Sequence, residues 1–368
     1  MVGRGLWIFK VRFRKRRCST FSVLCLTVPC AALLVLALFF VDAIESWTMS
    51  LAMNTARVDQ GGRRTHSSPQ NPPEEYPLMP SPLVCQRAKP YLLTMVTTAP
   101  ANQKARQAIR DTWGGETEVR GRRVMTLFMV GLPSDPGLSK QLLEEARDHR
   151  DLVQGRFLDT YANLTLKTLS MLGWTLRFCL QTRFIAKVDD DVLFNPGVLI
   201  RYLNRSYSLE GDLYLGRVHL QVSPNRNSAS KHYLPAAAYA PDVFPDYCSG
   251  TSYILSRSAA LKIAHATTPV SPPLPLPPED VFVGLSARAA GILPSHSPLF
   301  SGGPGLPYNR CCYQAMASVH HISPREMIRL WGEVHTPPHC SWLGLRAYLG
   351  LCKVQALLRT ILGKEKGF

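Results

Sequence analysis

The sequence predicts an α/β globule on a mostly parallel sheet, placed behind a charge-free N-terminal segment. Three observations lead there. Short apolar runs such as Tyr91–Thr97 and Arg183–Asp189 alternate with longer amphipathic stretches, the pattern of buried strands separated by crossover helices. Hydrophobic residues are 46% and charged residues 18% of the 368, so most of the chain can bury a core. Three adjacent acids, Asp189-Asp190-Asp191, close one apolar run, where open α/β sheets place their ligands. No solenoid-length repeat and no heptad run interrupts this pattern.

The N-terminal elements come first. Residues 1–17 hold seven Lys and Arg and no acid, and residues 19–41 carry no charge. A run of about 23 apolar residues can cross ~30 Å of hydrocarbon as a helix. The basic flank before it, with Asp42 and Glu45 after it, predicts a cytosolic N-terminus and a lumenal remainder. The run is too long for a cleaved signal peptide, and Val41-Asp42-Ala43 is a poor cleavage site. The expected organisation is therefore a tail at 1–18, a signal-anchor helix at 19–41, an extended Pro-rich stem at 42–90 and a globular domain at 91–368. The net charge is +16, and the tail carries much of it. Beyond the tail no Lys/Arg stripe interleaves with aromatics, so nucleic acid is not an expected partner.

Seven of the ten cysteines lie past residue 41, with no Cys-x-x-Cys pair among them. Disulfides are expected rather than structural zinc, with one thiol left over. Adjacent Cys311 and Cys312 are expected to bond different partners. Asn163-Leu-Thr and Asn204-Arg-Ser are candidate glycosylation sequons.

Within the globule, strands are expected at Tyr91–Thr97, Arg123–Gly131, Leu152–Leu158 and Arg183–Asp189. Helices are expected at 102–113, capped by Asn102, and at 136–149 and 164–180. The second half has strands at 213–218 and 252–256 and helices at 258–266, 281–291 and 324–332. Pro272, Pro273, Pro275, Pro277 and Pro278 forbid regular structure before Glu279. This half belongs to the same globule as the first.

Three adjacent carboxylates repel one another unless a cation sits among them, and a hard divalent ion would complete its shell with water and substrate phosphates. Strand alternation would put Asp189 and Asp191 on one side and Asp190 on the other. Arg106 and Arg110 share one helix face and could reach a nucleotide or diphosphate, or form a solvated face. Lys187, inside a strand, needs an acid or a phosphate as partner. Gly250 permits close backbone approach to a ligand, or only a tight turn. Trp113 and Trp174 read as core.

Seven blocks in order carry a resemblance. They are Arg106-Gln-Ala-Ile-Arg-Asp-Thr-Trp113, Asp159-Thr-Tyr-Ala-Asn-Leu-Thr-Leu-Lys-Thr168, Lys187-Val-Asp-Asp-Asp-Val-Leu-Phe-Asn195 and Tyr214-Leu-Gly-Arg-Val218, then Tyr247-Cys-Ser-Gly-Thr-Ser-Tyr-Ile-Leu-Ser256, Glu279-Asp-Val-Phe-Val-Gly284 and Val319-His-His-Ile-Ser-Pro324. Together they resemble the β-1,3-glycosyltransferase family of β-1,3-galactosyltransferases and β-1,3-N-acetylglucosaminyltransferases. Val124–Gly131 and Asn309-Arg-Cys-Cys-Tyr313 draw the likeness toward the galactosyltransferases.

The resemblance implies a GT-A-like, Rossmann-type domain in the Golgi membrane. It also implies a UDP-sugar donor, Mn²⁺ as cofactor, and a glycan or glycolipid acceptor. The implied reaction is inverting transfer of galactose from UDP-galactose to the 3-hydroxyl of a GlcNAc- or GalNAc-terminated glycan. The alternatives are transfer from UDP-GlcNAc, or a catalytically silent member serving as chaperone or binding partner. Homo-oligomers or complexes with other glycosyltransferases stay open.

By the same resemblance Asp280 is the general base, with Glu279 beside it able to raise its pKa. Asp191 is the first metal ligand, with Asp189 also in the metal set. Asp189 and Asp190 position ribose or donor sugar. His320 is the second ligand, and His321 is expected at the surface. Two departures from the family, Ser252 in place of Gly and Pro278 in place of an apolar residue, are expected near the acceptor cleft.

Overall fold

The computed structural model describes residues 30, 32–33, 35–57, 76–206, 211–230, 232–266, 276–303 and 305–362. The tail and most of the expected anchor lie outside the described residues. Among the described residues no helix is long and apolar enough to cross a membrane.

In the first half the elements run α1 (Val41–Arg57), α2 (Val84–Ala88), β1 (Leu92–Thr97), α3 (Gln103–Arg110), β2 (Glu118–Val119), β3 (Arg122–Leu132), α4 (Pro136–His149), β4 (Leu152–Leu158), α5 (Leu164–Phe178) and β5 (Phe184–Asp189). The second half has β6 (Leu193–Phe194), α6 (Pro196–Ser206), β7 (Tyr214–His219), β8 (Tyr247–Ser256), α7 (Arg257–Ala266), α8 (Glu279–Ala289), β9 (Ser295–His296), α9 (Arg310–Ala315), β10 (Ser318–Val319), α10 (Pro324–His335) and α11 (Trp342–Ile361).

One sheet passes through both halves in the order β2-β3-β1-β5-β8-β7-β9, with β4 also on β3. It is mixed rather than mostly parallel. β4, β3, β1 and β5 run parallel, while β8 is antiparallel to both β5 and β7. Every residue of β1 is buried. Leu92 and Val96 enter the core on one face of the sheet, Leu93 and Met95 the core on the other, as the two-residue strand period requires. Trp113 and Trp174 are core residues.

The segment expected as an extended stem differs. Residues 41–57 contain neither proline nor glycine and form α1, whose Glu45 pairs with Arg217 at 2.7 Å and with Lys353. From Tyr76 onward the chain packs on the globule. Tyr76 Oη donates to the Ser170 carbonyl at 3.1 Å, and Leu78 accepts from the Gln154 amide. Cys85 is disulfide-bonded to Cys179, and Cys311 to Cys340. Cys312, expected to be bonded, is a buried free thiol that shares a hydrogen bond with the Cys352 thiol. Cys248 is also free, so more than one thiol is left over.

Candidate active site

The site grows from the carboxyl ends of β1 and β5, where Thr97 stands in register with Asp189. Thr97 Oγ1 donates to Asp189 Oδ1 at 2.7 Å. β5 stops at Asp189, so the expected strand alternation does not extend through the triplet. Asp190 turns toward the loop after β1, where Thr98 Oγ1 at 2.5 Å and Asn102 Nδ2 at 2.8 Å donate to its Oδ2. Asn102 stands at the N-cap of α3, as expected, but its side chain makes no cap bond and donates to Asp190 instead. Burial pushes the Asp190 carboxyl up despite these two donors, and Asp189 and Asp191 add to the push.

Lys187 links the triplet to the start of α8. Its buried Nζ donates to Asp189 Oδ1 at 2.6 Å and to the Gly250 carbonyl, and lies 3.6 Å from Glu279 Oε2. Burial alone would lower this amine, but Asp189 and Glu279 overturn that and raise it. Glu279 is sealed, accepting at 2.9 Å from both Thr168 Oγ1 and Tyr253 Oη. Asp280, the next residue of α8, has a different environment. It is partly exposed and, among the described residues, accepts hydrogen bonds only from backbone amides, Val281 at 2.9 Å and Gly250 at 3.3 Å. Burial raises its carboxyl above the ordinary Asp range, against those amides and Lys187.

Gly250 sits close against these acids. A Cβ there would lie 3.1 Å from Glu279 Oε2 and 3.4 Å from Asp280 Cβ. A side chain there would press on both acids at the point where the β8 backbone donates to Asp280 and accepts from Lys187.

Asp191 takes a third direction. Antiparallel pairing of β10 with β6 brings the residues after β10 beside it. His320 Nε2 lies 3.1 Å from Asp191 Oδ2 and His321 Nδ1 lies 3.8 Å from the same oxygen. One ligand atom from each of the three residues falls within 4.8 Å of the others. His321, though exposed, is therefore part of this group, with a backbone φ of 64°. His320 Nδ1 is buried without a hydrogen-bond partner. One carboxylate and two imidazoles form a mixed oxygen and nitrogen set of the kind that holds a divalent transition-metal ion. Asp189 is not in this group; Lys187 and Thr97 hold it instead.

Arg106 and Arg110 correct the sequence expectation. Arg106 is fully buried, and all five of its N–H donors are used inside the domain. Two fork onto Glu145 at 2.8 and 2.6 Å, and the others reach Thr98 and the Ala99 and Pro100 carbonyls. Arg110 pairs with Glu145 at 2.7 Å and Asp151 at 2.8 Å. A buried guanidinium needs carboxylates, and α4 with the residue before β4 supplies them. These arginines shape the loop after β1 from beneath and do not reach into the cleft.

Ser252 is likewise buried, with its hydroxyl 2.8 Å from that of Ser318, so it joins β8 to the strand leading to His320 and does not line a cleft. Pro278 stands at the N-cap of α8. Asn204 is exposed, whereas Asn163 Nδ2 donates to the Leu158 carbonyl and the hydroxyl of Thr165 is buried on the Pro277 carbonyl.

Sequence reasoning missed three residues, Asp159, Tyr161 and Lys167. Lys167, nearly fully buried, bonds the Thr98 carbonyl at 2.8 Å and Asp159 at 2.9 Å, bracing the loop that holds Asp190. Tyr161 has an exposed ring, and burial of its hydroxyl, with Asp280 and Asp189 nearby, raises its pKa. The signal for all three was the block from Asp159 to Thr168, read only as a likeness.

The chain belongs to the galactosyltransferase family, whose model, described as Galactosyltransferase, matches residues 104–298. It is a glycosyltransferase of that family. Among known proteins it is 35% identical over 278 residues to beta-1,3-galactosyltransferase 9 of Homo sapiens, covering 75% of this chain and 74% of that one. It is 40% identical over 298 residues to beta-1,3-galactosyltransferase 4 of Mus musculus, covering 71% and 78%. It is 33% identical over 317 residues to the mouse beta-1,3-galactosyltransferase 1, covering 85% and 96%.

Proposed function

We propose that this protein is an inverting, Mn²⁺-dependent β-1,3-galactosyltransferase with a GT-A-like domain. It takes UDP-galactose as donor and a GlcNAc- or GalNAc-terminated glycan as acceptor. In the same reading it is a single-pass type II protein of the Golgi membrane, held by residues 19–41. The observation that carries the reaction is Asp280. It is a partly exposed carboxylate, raised by burial, at a helix start and near the acids at the end of β5.

The acceptor 3-hydroxyl forms the new bond to the anomeric carbon as the bond from that carbon to UDP breaks on the opposite face. The hydroxyl proton passes to an Asp280 oxygen, which a raised pKa makes a better acceptor. The amides of Val281 and Gly250 hold that carboxylate in place. Asp190, fixed by Thr98 and Asn102, is placed to receive donor hydroxyls. Asp191, His320 and His321 would hold Mn²⁺, which when bound offsets charge on the departing diphosphate.

The test is transfer by the full-length chain in detergent with Mn²⁺ and either UDP-galactose or UDP-GlcNAc, on GalNAc- and GlcNAc-terminated acceptors. Galactose transfer that disappears in Asp280→Asn is the expected result. Transfer of GlcNAc alone would overturn the donor assignment. UDP binding with no turnover on these acceptors would favour the silent-member alternative.

A further inference from the structure

We infer that the outer face of α11 rests on the lipid bilayer, so that the domain sits against the membrane surface. This rests on the reading of residues 19–41 as a membrane anchor. α11 is apolar on two sides. Leu349, Cys352 and Ala356 face the globule. On the far side Leu343, Leu351, Leu357, Leu358, Ile361 and the following Leu362 are 39–69% exposed, and no charged residue interrupts residues 354–358. A helix whose apolar face is left largely uncovered by the described residues, apart from Leu38 against Gly350, is suited to a membrane or a partner.

The bilayer is the occupant that the position of the helix selects. Leu38 lies near the end of the charge-free run, which stops at Val41. It approaches Gly350 so closely that a Cβ there would fall 2.1 Å from the Leu38 carbonyl oxygen. α11 therefore crosses the last turn of the apolar run, at the depth where hydrocarbon gives way to headgroups.

Ion pairs fix that crossing. Arg346 pairs with Asp42 and Lys353 with Glu45, the first two acids after the run. Glu45 is bound further by Arg217 at 2.7 Å and His296 at 3.2 Å. Trp47 on α1 is 65% exposed and Trp342 at the start of α11 is 63% exposed, and indole is enriched at that depth. A helix with these features lies in the membrane interface, its apolar face among the acyl chains.

The test uses the full-length chain reconstituted in phosphatidylcholine–phosphatidylserine vesicles doped with a diazirine photolipid, with adducts mapped by mass spectrometry. Adducts are expected in residues 19–41 and along the outer face of α11, and none on Ile328, an exposed apolar residue of α10. Replacing Leu351, Leu357, Leu358 and Ile361 by serine should abolish the α11 adducts while those in 19–41 and the melting temperature persist. Adducts confined to 19–41 would overturn the seat and leave the anchor standing. Adducts in neither region would overturn the anchor reading and the seat with it. Crosslinks between α11 helices of two copies, without lipid adducts, would overturn the bilayer in favour of a second copy.

Discussion

Two charged clusters flank the loop after β1, and they are built from the same residue types to opposite ends. Beneath the loop, Arg106 and Arg110 face Glu145 and Asp151, two cations against two anions, with side chains 1–18% exposed. Above it, Asp189, Asp190, Asp191 and Asp280 are gathered with Glu279, and Lys187 pairs only with Asp189 and Glu279 among the described residues. Among the described residues, Asp190 and Asp280 accept hydrogen bonds from neutral donors alone. The first cluster is closed, so breaking it exposes a buried unpaired charge. The second keeps surplus negative charge in a cleft, a standing cost to the fold that suits a site built to bind cations and take up a proton. Proximity in sequence does not reveal which kind of cluster a charged pair joins; the supply of counter-charge does.

That contrast can be broken from either side. The largest expected effect is Asp280→Asn, which removes the proposed base in the open cluster. Transfer should fall about 10²–10⁴-fold while UDP binding is kept, read by initial rates and by calorimetric titration. Next comes Glu145→Gln in the closed cluster, expected to cost about 3–5 kcal/mol in urea unfolding, since Arg106 loses its charge partner while fully buried. Its KM for the donor should stay unchanged in the folded fraction; a raised KM would return these arginines to the donor site.

A smaller change is expected from Gly250→Ala, which pushes on Glu279 and Asp280 together. A drop of about tenfold in kcat with little change in donor KM is expected, as for a small misplacement of a reacting group. The smallest effect is on stability against pH. Asp280 has a raised pKa in the folded chain, so the unfolded chain gives up its proton first. Stability is then lost as pH rises from the ordinary Asp value of 3.8 through the raised one. Asp280→Asn should melt higher than the wild type at neutral pH, and the gap should close as pH falls below that ordinary value. A gap independent of pH would assign the stabilisation to something other than charge.

Much of the fold was legible because β1, β3, β4 and β5 are short runs buried on both faces, which few patterns imitate. The antiparallel β8 was seen only in part, because Tyr247–Gly250 carries turn residues whose strand pairing is long-range. α11 was not expected at all, and α1 was hidden by the prolines downstream of it.

Within the site, Asp191 stood out with its triplet at a strand end and His320, Glu279 and Asp280 through motif likeness, and their different surroundings come from neighbours far away in sequence. Asp189 and Asp191 differ because Lys187 stands beside one and β10 brings histidines to the other. Arg106 was misread because Glu145, 39 residues later, is invisible to a helix-face argument.

The Cys85–Cys179 bond closes a loop of 94 residues that contains β1, β3 and β4. Tension applied to the chain before Cys85 therefore divides there, and part of it passes through sulfur to the end of α5. β1, the strand that aligns Thr97 with Asp189, is not the sole path of the pull. Mechanically the disulfide is a strain relief on a cable. Jostling of the N-terminal segment is taken up at the back of the sheet, away from the carboxylates whose spacing the chemistry requires.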